Sequence, residues 1–219
     1  MSRLSRFICA LHWVWILASL LLAPLVLAQE PAAQPNAEAD DPILDQALTP
    51  WTGDLDGILK RGILRVAVPY GLLTYFNDGP EQRGLTYDNL MAFEQWAKKK
   101  LGKEATNLTL VILPTNRAGL LPMLTDGRAD IAAGTITVTE GRRALVDFSE
   151  PFHTEVREVL VTGPAAPEVK TAEDMLASQI YLRPSTSFYE HLAALNAKRV
   201  AAGKAPFPVM DADENLSDD

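Results

Sequence analysis

Three threonines and an arginine are spaced along one short segment in a way that could bind a small anion. Thr135, Thr137 and Thr139 follow a predicted strand, and Arg142 stands in the first turn of the predicted helix behind them. A helix N-terminus presents unpaired N–H groups, and a guanidinium can hold a carboxylate through two parallel hydrogen bonds. The competing interpretation is that Thr139 only caps the helix and that Arg142 is a solvated helix residue. Spacing alone leaves both interpretations open.

A second group of hydroxyl side chains follows another predicted strand. Ser185, Thr186 and Ser187 come after the segment Gln179 to Leu182 and begin a predicted helix. Their hydroxyls and the N–H groups of the helix start suit an anion or the polar end of a ligand. A plain helix cap explains the same residues equally well. Both groups stand at the carboxyl ends of strands, where ligands gather in open α/β sheets.

Catalysis by these residues is not expected. Glycoside cleavage would need two carboxylates in a cleft, one of them with a raised pKa. Glu140, Glu150 and Glu155 stand instead where structural or solvated residues are expected. His153 and His191 have no metal-ligating or nucleophilic partner at a suggestive spacing. We therefore predict no catalytic residue, no metal site and no cofactor.

The composition is that of a globular, acidic protein. The chain has 219 residues, 47% of them hydrophobic, and a formal net charge of −8. A nucleic acid would be repelled unless a local basic patch intervened. The one dense patch, Lys98 to Lys100, falls at a predicted helix end, where cations complement the helix dipole. We therefore expect no nucleic acid partner.

The N-terminus predicts export. Residues 1–28 begin with two arginines, continue as an apolar run and end in Val26-Leu27-Ala28, which is typical of a signal peptide cleaved after Ala28. An uncleaved membrane anchor is the alternative, because the apolar run is just long enough to span a bilayer. Cys9, the single cysteine, lies inside this segment, so disulfides are excluded from the mature chain. The export signal predicts a location in the periplasm, free or tethered to the inner membrane. Residues 29–50, rich in Ala, Pro and acidic residues, predict a flexible linker.

Apolar strands alternate with amphipathic helices from Trp51 onward, which predicts an α/β fold with mostly parallel sheets. The predicted strands are Ile63 to Val68, Leu108 to Leu113, Ala129 to Ala133, Glu155 to Thr162, Gln179 to Leu182 and Phe207 to Met210. The predicted helices are Asp54 to Arg61, Leu85 to Leu101, Asn116 to Thr125, Thr171 to Ala177 and Thr186 to Ala202.

These elements divide into two lobes joined by the strand Glu155 to Thr162. We expect lobe one over residues 51–156 and a partial lobe two over residues 157–219, with ligand in the cleft between them. Closure would bend the chain near Arg157 to Gly163. The second lobe looks unfinished, because Glu214-Asn215-Leu216 resembles the beginning of a helix without a body.

A set of motifs carries a family resemblance. The chain contains GLTYDNLMAFEQWAKKKLG and then LLPMLTDGRADIAAGTITVTEGRRALVDFSEPF. Gly84 and Asp88 open the first, and the second contains a Leu-x-x-Gly-x-x-Asp turn, Thr-x-Thr-x-x-Arg and Val-Asp-Phe-Ser. This pattern resembles the extracellular solute-binding proteins of family 3, the amino-acid receptors of ABC importers.

The resemblance implies a fold and residue roles. The fold would be the two-lobed periplasmic-binding-protein type 2 fold, and Arg142 would hold the α-carboxylate of an amino acid with help from Thr137. Thr135, Ser185 and Thr186 would line the ligand site. Where the family often has an aromatic clamp, this chain has GLLTYF, so Tyr70, Tyr75 and Phe76 are candidates for packing on the ligand.

A subgroup resemblance is also visible in WTGDLDGILKRGILRVAVPY, RPSTSFYEHL and DADENL, which are similar to the front part of proteins like membrane-bound lytic murein transglycosylase F. The resemblance implies two competing functions. One is a binding domain for an amino acid or a muropeptide-like peptide that works with an ABC permease. The other is the regulatory part of a peptidoglycan-cleaving enzyme, fused to a transglycosylase domain. A truncated chain that folds poorly is a third interpretation.

Overall fold

The computed structural model describes residues 42–216. The predicted signal peptide and the first part of the predicted linker lie outside these residues. Within the described residues, no helix combines the length and the apolar character needed to cross a membrane.

A three-stranded parallel sheet forms the core of the first half of the chain. Its strands are β1 (Ile63–Pro69), β4 (Thr109–Thr115) and β5 (Ile131–Ala132), in the order β4-β1-β5. All seven residues of β1 are buried, as expected for a central parallel strand covered on both faces. Between β1 and β4 the chain makes a small antiparallel hairpin, β2 (Phe76–Asp78) with β3 (Glu81–Arg83).

Four helices accompany this sheet: α1 (Pro42–Leu48), α2 (Leu55–Arg61), α3 (Leu85–Leu101) and α4 (Leu120–Thr125). Helix α3 places Leu90 and Ala97 in the core beside Val66 and Val68 of β1. Full burial of valines such as these contributes about 1.5–3 kcal/mol each. The predicted helix Asn116 to Thr125 is divided into a 3₁₀ turn, Arg117–Gly119, and α4.

Gly84, at the start of α3, is required by a close backbone approach. Its φ is +125°, and a Cβ atom there would lie 2.3 Å from the carbonyl oxygen of Thr74. Only glycine fits both conditions without strain. The glycine of the first sequence motif therefore has a structural reason.

Asp130 joins two buried arginines at the N-terminal side of the sheet. Its Oδ2 accepts from Arg61 Nη2 at 2.6 Å, and its Oδ1 accepts from Arg65 Nη2 at 2.9 Å. Arg65 is fully buried in β1, and it also donates to the carbonyl oxygens of Thr49 and Trp51. These bonds tie the segment before α2 to the sheet. The last part of the linker predicted over residues 29–50 is thus not flexible: it contains helix α1, whose Ala47 is buried.

The second half contains a smaller parallel sheet. Strands β6 (Ile180–Leu182) and β7 (Val209–Asp211) pair in parallel, and the long helix α6 (Ser187–Ala201) connects them. The 3₁₀ helix Ala172–Ala177 precedes β6, where a helix was predicted. We call residues 42–148 lobe 1 and residues 171–216 lobe 2. The predicted α/β class with mostly parallel sheets is confirmed.

The predicted strand Glu155 to Thr162 is wrong. Residues 151–170 contain no helix or strand, and nearly all of them are exposed, with Val159 at 81% and Val161 at 86%. The alternation of residue types favours a strand, but a strand needs a neighbour to accept and donate its backbone hydrogen bonds. Within the described residues, no strand pairs with this segment. Glu214 to Leu216 form a turn, without the helix that their types suggested.

Candidate functional site

Arg142 is a buried cation that bridges the two lobes. It lies in the short helix α5 (Glu140–Arg143) and is 8% exposed. Its Nε donates to Glu190 Oε1 at 2.8 Å, its Nη1 to the carbonyl oxygen of Thr137 at 3.2 Å and its Nη2 to that of Ser185 at 2.9 Å. Two of these three acceptors belong to lobe 2. The alternative of a solvated Arg142 is therefore wrong.

Thr139 is the N-cap of α5, as the helix-cap interpretation of this segment predicted. Its hydroxyl accepts from the backbone N–H of Arg142 at 3.3 Å, which is the ordinary bond of a helix cap. The cap fixes the turn from which the Arg142 side chain projects. Thr137 contributes its carbonyl oxygen to that side chain, so the helix cap and the anchoring of the guanidinium lie in one segment.

The hydroxyl segment of lobe 2 lies on the other side of Arg142. Thr186 is the N-cap of α6: its hydroxyl donates to the carbonyl oxygen of Arg183 at 2.7 Å and accepts from the N–H of Tyr189 at 3.3 Å. Ser185 donates from its backbone N and its Oγ to the two carboxylate oxygens of Glu214, at 2.7 and 2.5 Å. The start of α6 therefore already holds a carboxylate of the protein.

A cleft of about 420 Å³ opens where the carboxyl ends of strands from both lobes face each other. Tyr70 follows β1, Arg117 follows β4, and Arg183 follows β6. The full lining consists of Pro69, Tyr70, Pro114, Thr115, Asn116, Arg117, Arg183, Glu214, Asn215 and Leu216. This is the position at which open α/β sheets bind ligands.

The charges of the cleft influence one another. Burial lowers the pKa of Arg117, and the nearby Glu214 carboxylate opposes that shift. The pKa of Arg183 is also lowered, first by burial and then by the Arg117 charge, again against Glu214. Partly dehydrated cations of this kind interact more strongly with an anion than surface cations do.

The predicted residue Thr135 stands at the edge of this cleft. Arg117 donates to its carbonyl oxygen at 3.0 Å and to its hydroxyl at 3.3 Å. Arg142 lies behind the cleft: Ser185 bonds to Arg142 through its carbonyl oxygen and to the cleft residue Glu214 through its N and Oγ. Thr135, Thr137, Arg142, Ser185 and Thr186 are thus connected to cleft residues by hydrogen bonds, directly or through one another, but none of them lines the cleft, and one predicted residue stands apart.

The exception is Tyr75, which lies in the core of lobe 1. It is 3% exposed and packs against Tyr70 and Tyr87 with ring centroids 6.4 and 6.3 Å away. Burial, followed by the neighbouring tyrosines, raises its pKa. Tyr75 therefore does not line the cleft, whereas Tyr70 lines it and is 58% exposed.

Sequence reasoning missed the residues Arg117, Arg183, Glu190 and Glu214. Arg117 and Arg183 follow strands of the parallel sheets, so the rule about carboxyl ends could have found them. Glu190 carries no such signal, since it is one polar residue on a long helix. Within residues 42–216, no three His, Cys, Asp or Glu side chains are arranged to hold a metal ion.

Comparisons with known proteins agree with the motifs. The model of bacterial extracellular solute-binding proteins, family 3, matches residues 64–204. The glutamine-binding protein of Geobacillus stearothermophilus is 26% identical over 189 residues, which cover 86% of this chain and 69% of that protein. Membrane-bound lytic murein transglycosylase F of Aeromonas salmonicida is 30% identical over 136 residues, which cover 62% of this chain and 25% of that protein.

Among solved structures, an ancestral amino acid-binding protein, a precursor of cyclohexadienyl dehydratase, is 27% identical, with a TM-score of 0.49. The similarity covers 72% of this chain and 64% of that one. The chain thus spans about two thirds of the length of these two binding proteins and a quarter of the transglycosylase.

Proposed function

The chain belongs to the bacterial extracellular solute-binding proteins of family 3, and from this premise we propose that it is an exported domain that binds an amino acid or a small peptide. The ligand enters the cleft between the lobes and is held by side chains of both. Affinity is supplied by binding contacts alone, and no step of covalent chemistry is assigned to the domain.

The observation that carries this proposal is the cleft itself. Its lining comes from four strand ends, and it holds cations and a carboxylate together with an exposed aromatic ring. The Arg117 and Arg183 cations attract an anionic ligand into the cleft, Glu214 suits an ammonium group, and Tyr70 offers an apolar face. An amphoteric ligand such as an amino acid fits this combination. The relative named as a glutamine-binding protein supports the same ligand class.

Arg142 and Thr137 form the inner end of the proposed site. The guanidinium lies behind Ser185, and its present partners are two carbonyl oxygens and the Glu190 carboxylate. A ligand carboxylate that reaches past Ser185 would find in Arg142 a buried, fork-shaped donor. We assign to Arg142 the carboxylate of the ligand, and to Thr135, Thr137, Ser185 and Thr186 the positioning of the polar groups around it.

Closure of the lobes is the proposed mechanism. The two lobes are joined in sequence by residues 151–170, which form no helix or strand. An irregular connection absorbs a change of backbone angles without breaking a ladder of hydrogen bonds. The bend proposed near Arg157 to Gly163 lies inside this segment, and cleft contacts from both lobes would favour the closed arrangement when ligand is bound.

The second candidate function is the sensing part of a peptidoglycan-cleaving protein, in which the domain would bind a muropeptide-like peptide. It is supported by the identity of 30% to membrane-bound lytic murein transglycosylase F over 136 residues. The intact mass of the protein recovered from the cell envelope separates the two. A mass far above the 23.9 kDa of this chain favours the sensing role, whereas neighbouring permease and ATPase genes favour the importer role.

The direct test is calorimetric titration of the purified chain with the standard L-amino acids and with alanyl and glutamyl dipeptides. We expect saturable binding of at least one of them. Arg117→Gln should weaken it by about 1.5–3 kcal/mol, since it removes a charged hydrogen-bond donor from the cleft. Arg128→Gln is the matched control, because the Arg128 side chain is 48% exposed, pairs with the neighbouring Asp126 and does not line the cleft. Failure of every probe to bind would refute the proposal.

A further inference from the structure

The guanidinium that the proposed function assigns to a ligand carboxylate is occupied by a carboxylate of the protein. Arg142 Nε and Glu190 Oε1 are 2.8 Å apart. Glu190 belongs to the first turn of α6, in lobe 2, while Arg142 belongs to lobe 1. A free carboxylate on a ligand is the same chemical group as the Glu190 side chain. The two therefore compete for one cation.

The exposure of the two partners indicates which one can move. The Arg142 side chain is 10% exposed and is anchored by two further bonds to carbonyl oxygens, whereas the Glu190 side chain is 39% exposed. Removing the partner of a buried charge is costly unless another opposite charge replaces it. A half-exposed carboxylate regains its water at small cost. Exchange is therefore feasible when Glu190 swings into solvent as a ligand carboxylate arrives.

We infer that Glu190 is an affinity- and selectivity-setting residue of the ligand site, an internal carboxylate that a ligand must replace at Arg142. This inference rests on the proposed function. Glu190 keeps Arg142 paired when no ligand is bound, so the site does not hold an uncompensated buried cation. A ligand with a free carboxylate exchanges one ion pair for another. A ligand without one leaves the pair intact and gains nothing from Arg142.

The same exchange affects the connection between the lobes. In the structure, Arg142 reaches lobe 2 through Glu190 and through the carbonyl oxygen of Ser185. The Ser185 bond does not depend on Glu190, so it can persist while the carboxylate is replaced. The bound ligand would then take over the ionic part of the bridge. The Arg142 guanidinium would in this way link closure of the lobes to the preference for ligands with a free carboxylate.

The test uses the full chain and the variant Glu190→Gln, titrated by calorimetry with each standard L-amino acid and with its α-carboxamide. Glutamine keeps the length of the side chain but forms no ion pair with Arg142. We expect affinity for the free acid to rise about tenfold, which corresponds to about 1.4 kcal/mol. Affinity for the carboxamide should stay within about twofold, because it does not compete for Arg142.

Two further variants make the result specific. Glu168→Gln removes the same charge from an exposed residue that pairs with Lys170 at 3.2 Å, and it should change neither affinity. Glu190→Asp keeps the charge but shortens the side chain, so it should also raise affinity for the free acid. Glu190→Asp additionally serves as the test if the glutamine variant does not fold.

Three results overturn the inference while leaving the proposed function intact. They are unchanged or weaker binding of the free acid by both Glu190 variants, an equal gain for acid and carboxamide, and an equal gain in Glu168→Gln. Absence of binding by the parent and by every variant would instead overturn the proposed function, and the inference with it.

Discussion

Replacing Asp130 by asparagine should cost a large part of the stability of lobe 1. The Asp130 side chain is 4% exposed, and it lies between the side chains of Arg61 and Arg65, which are 8% and 0% exposed. Its Oδ2 also accepts from the backbone N of Arg65 at 2.8 Å and from Arg65 Nε at 3.3 Å. Asparagine retains one acceptor oxygen but carries no charge, and its amide N–H groups would face guanidinium donors.

The magnitude follows from burial. Adding the separate bonds would overestimate the loss, because the four N–H groups share one carboxylate and its dehydration is already included in the folded state. Breaking a buried ion pair by removing one partner costs about 3–5 kcal/mol, since the remaining charge is left uncompensated. The total stability of a domain is about 5–15 kcal/mol. We therefore expect Asp130→Asn to remove roughly a fifth or more of it.

Urea unfolding followed by circular dichroism measures this loss. The midpoint should fall while the slope m stays constant, which shows a change in stability and not in compactness. Asp126→Asn is the matched control: Asp126 is 57% exposed and pairs with the exposed Arg128, so about 0–1 kcal/mol is expected. A loss below 1 kcal/mol in Asp130→Asn, or equal losses in the two variants, would refute the reasoning.

Three more predictions concern the site, the backbone and pH. Arg142→Ala should weaken binding of a free amino acid by about 1.5 kcal/mol in calorimetry. The ligand loses a charge-assisted pair worth about 3 kcal/mol, but it no longer has to replace Glu190, which offsets part of that loss. Equal affinity would contradict the assignment. Gly84→Ala should lower the unfolding free energy by about 1–3 kcal/mol or more, because residue 84 has a positive φ and its new Cβ would collide with the carbonyl oxygen of Thr74. Gly141→Ala is the control, since its Cβ would meet nothing within 4 Å and no such loss is expected. Hydrogen bonding to Arg199 lowers the pKa of Glu173, so its contribution to stability is complete above pH 4.5 and is lost as pH falls through the lower folded-state pKa. A Glu173→Gln variant whose acid unfolding curve matches the parent's would contradict this.

The elements were predictable where the local signal was complete. Helix α3 has its exact predicted limits, Leu85–Leu101, because the apolar spacing and Gly102 after its last turn both act within a few residues. Strand β1 was predictable from its apolar run, and Thr139 and Thr186 were recognisable as caps. Such signals depend on neighbours in sequence, and they need no knowledge of the rest of the fold.

Prediction failed where a partner distant in sequence decides the outcome. The segment Glu155 to Thr162 has the residue types of a strand, but within the described residues no strand lies beside it. The residues of helix α1 were predicted to be linker, because the hydrogen bond that anchors the chain after this helix comes from Arg65, a residue distant in sequence. An arginine inside an apolar strand gives no sign of which carbonyl oxygens its guanidinium will reach.

The α/β class, the family and the segments that carry the predicted site residues could be predicted from the chain alone, because periodicity, caps and motif spacing are local properties. The contacts of those segments became visible only in the folded protein. The fold places Tyr75 in the core, and it brings Arg117 and Arg183 together in one cleft. It also placed the Glu190 carboxylate on the Arg142 guanidinium. Residues 142 and 190 belong to different lobes, so their contact exists only after both lobes have folded and met.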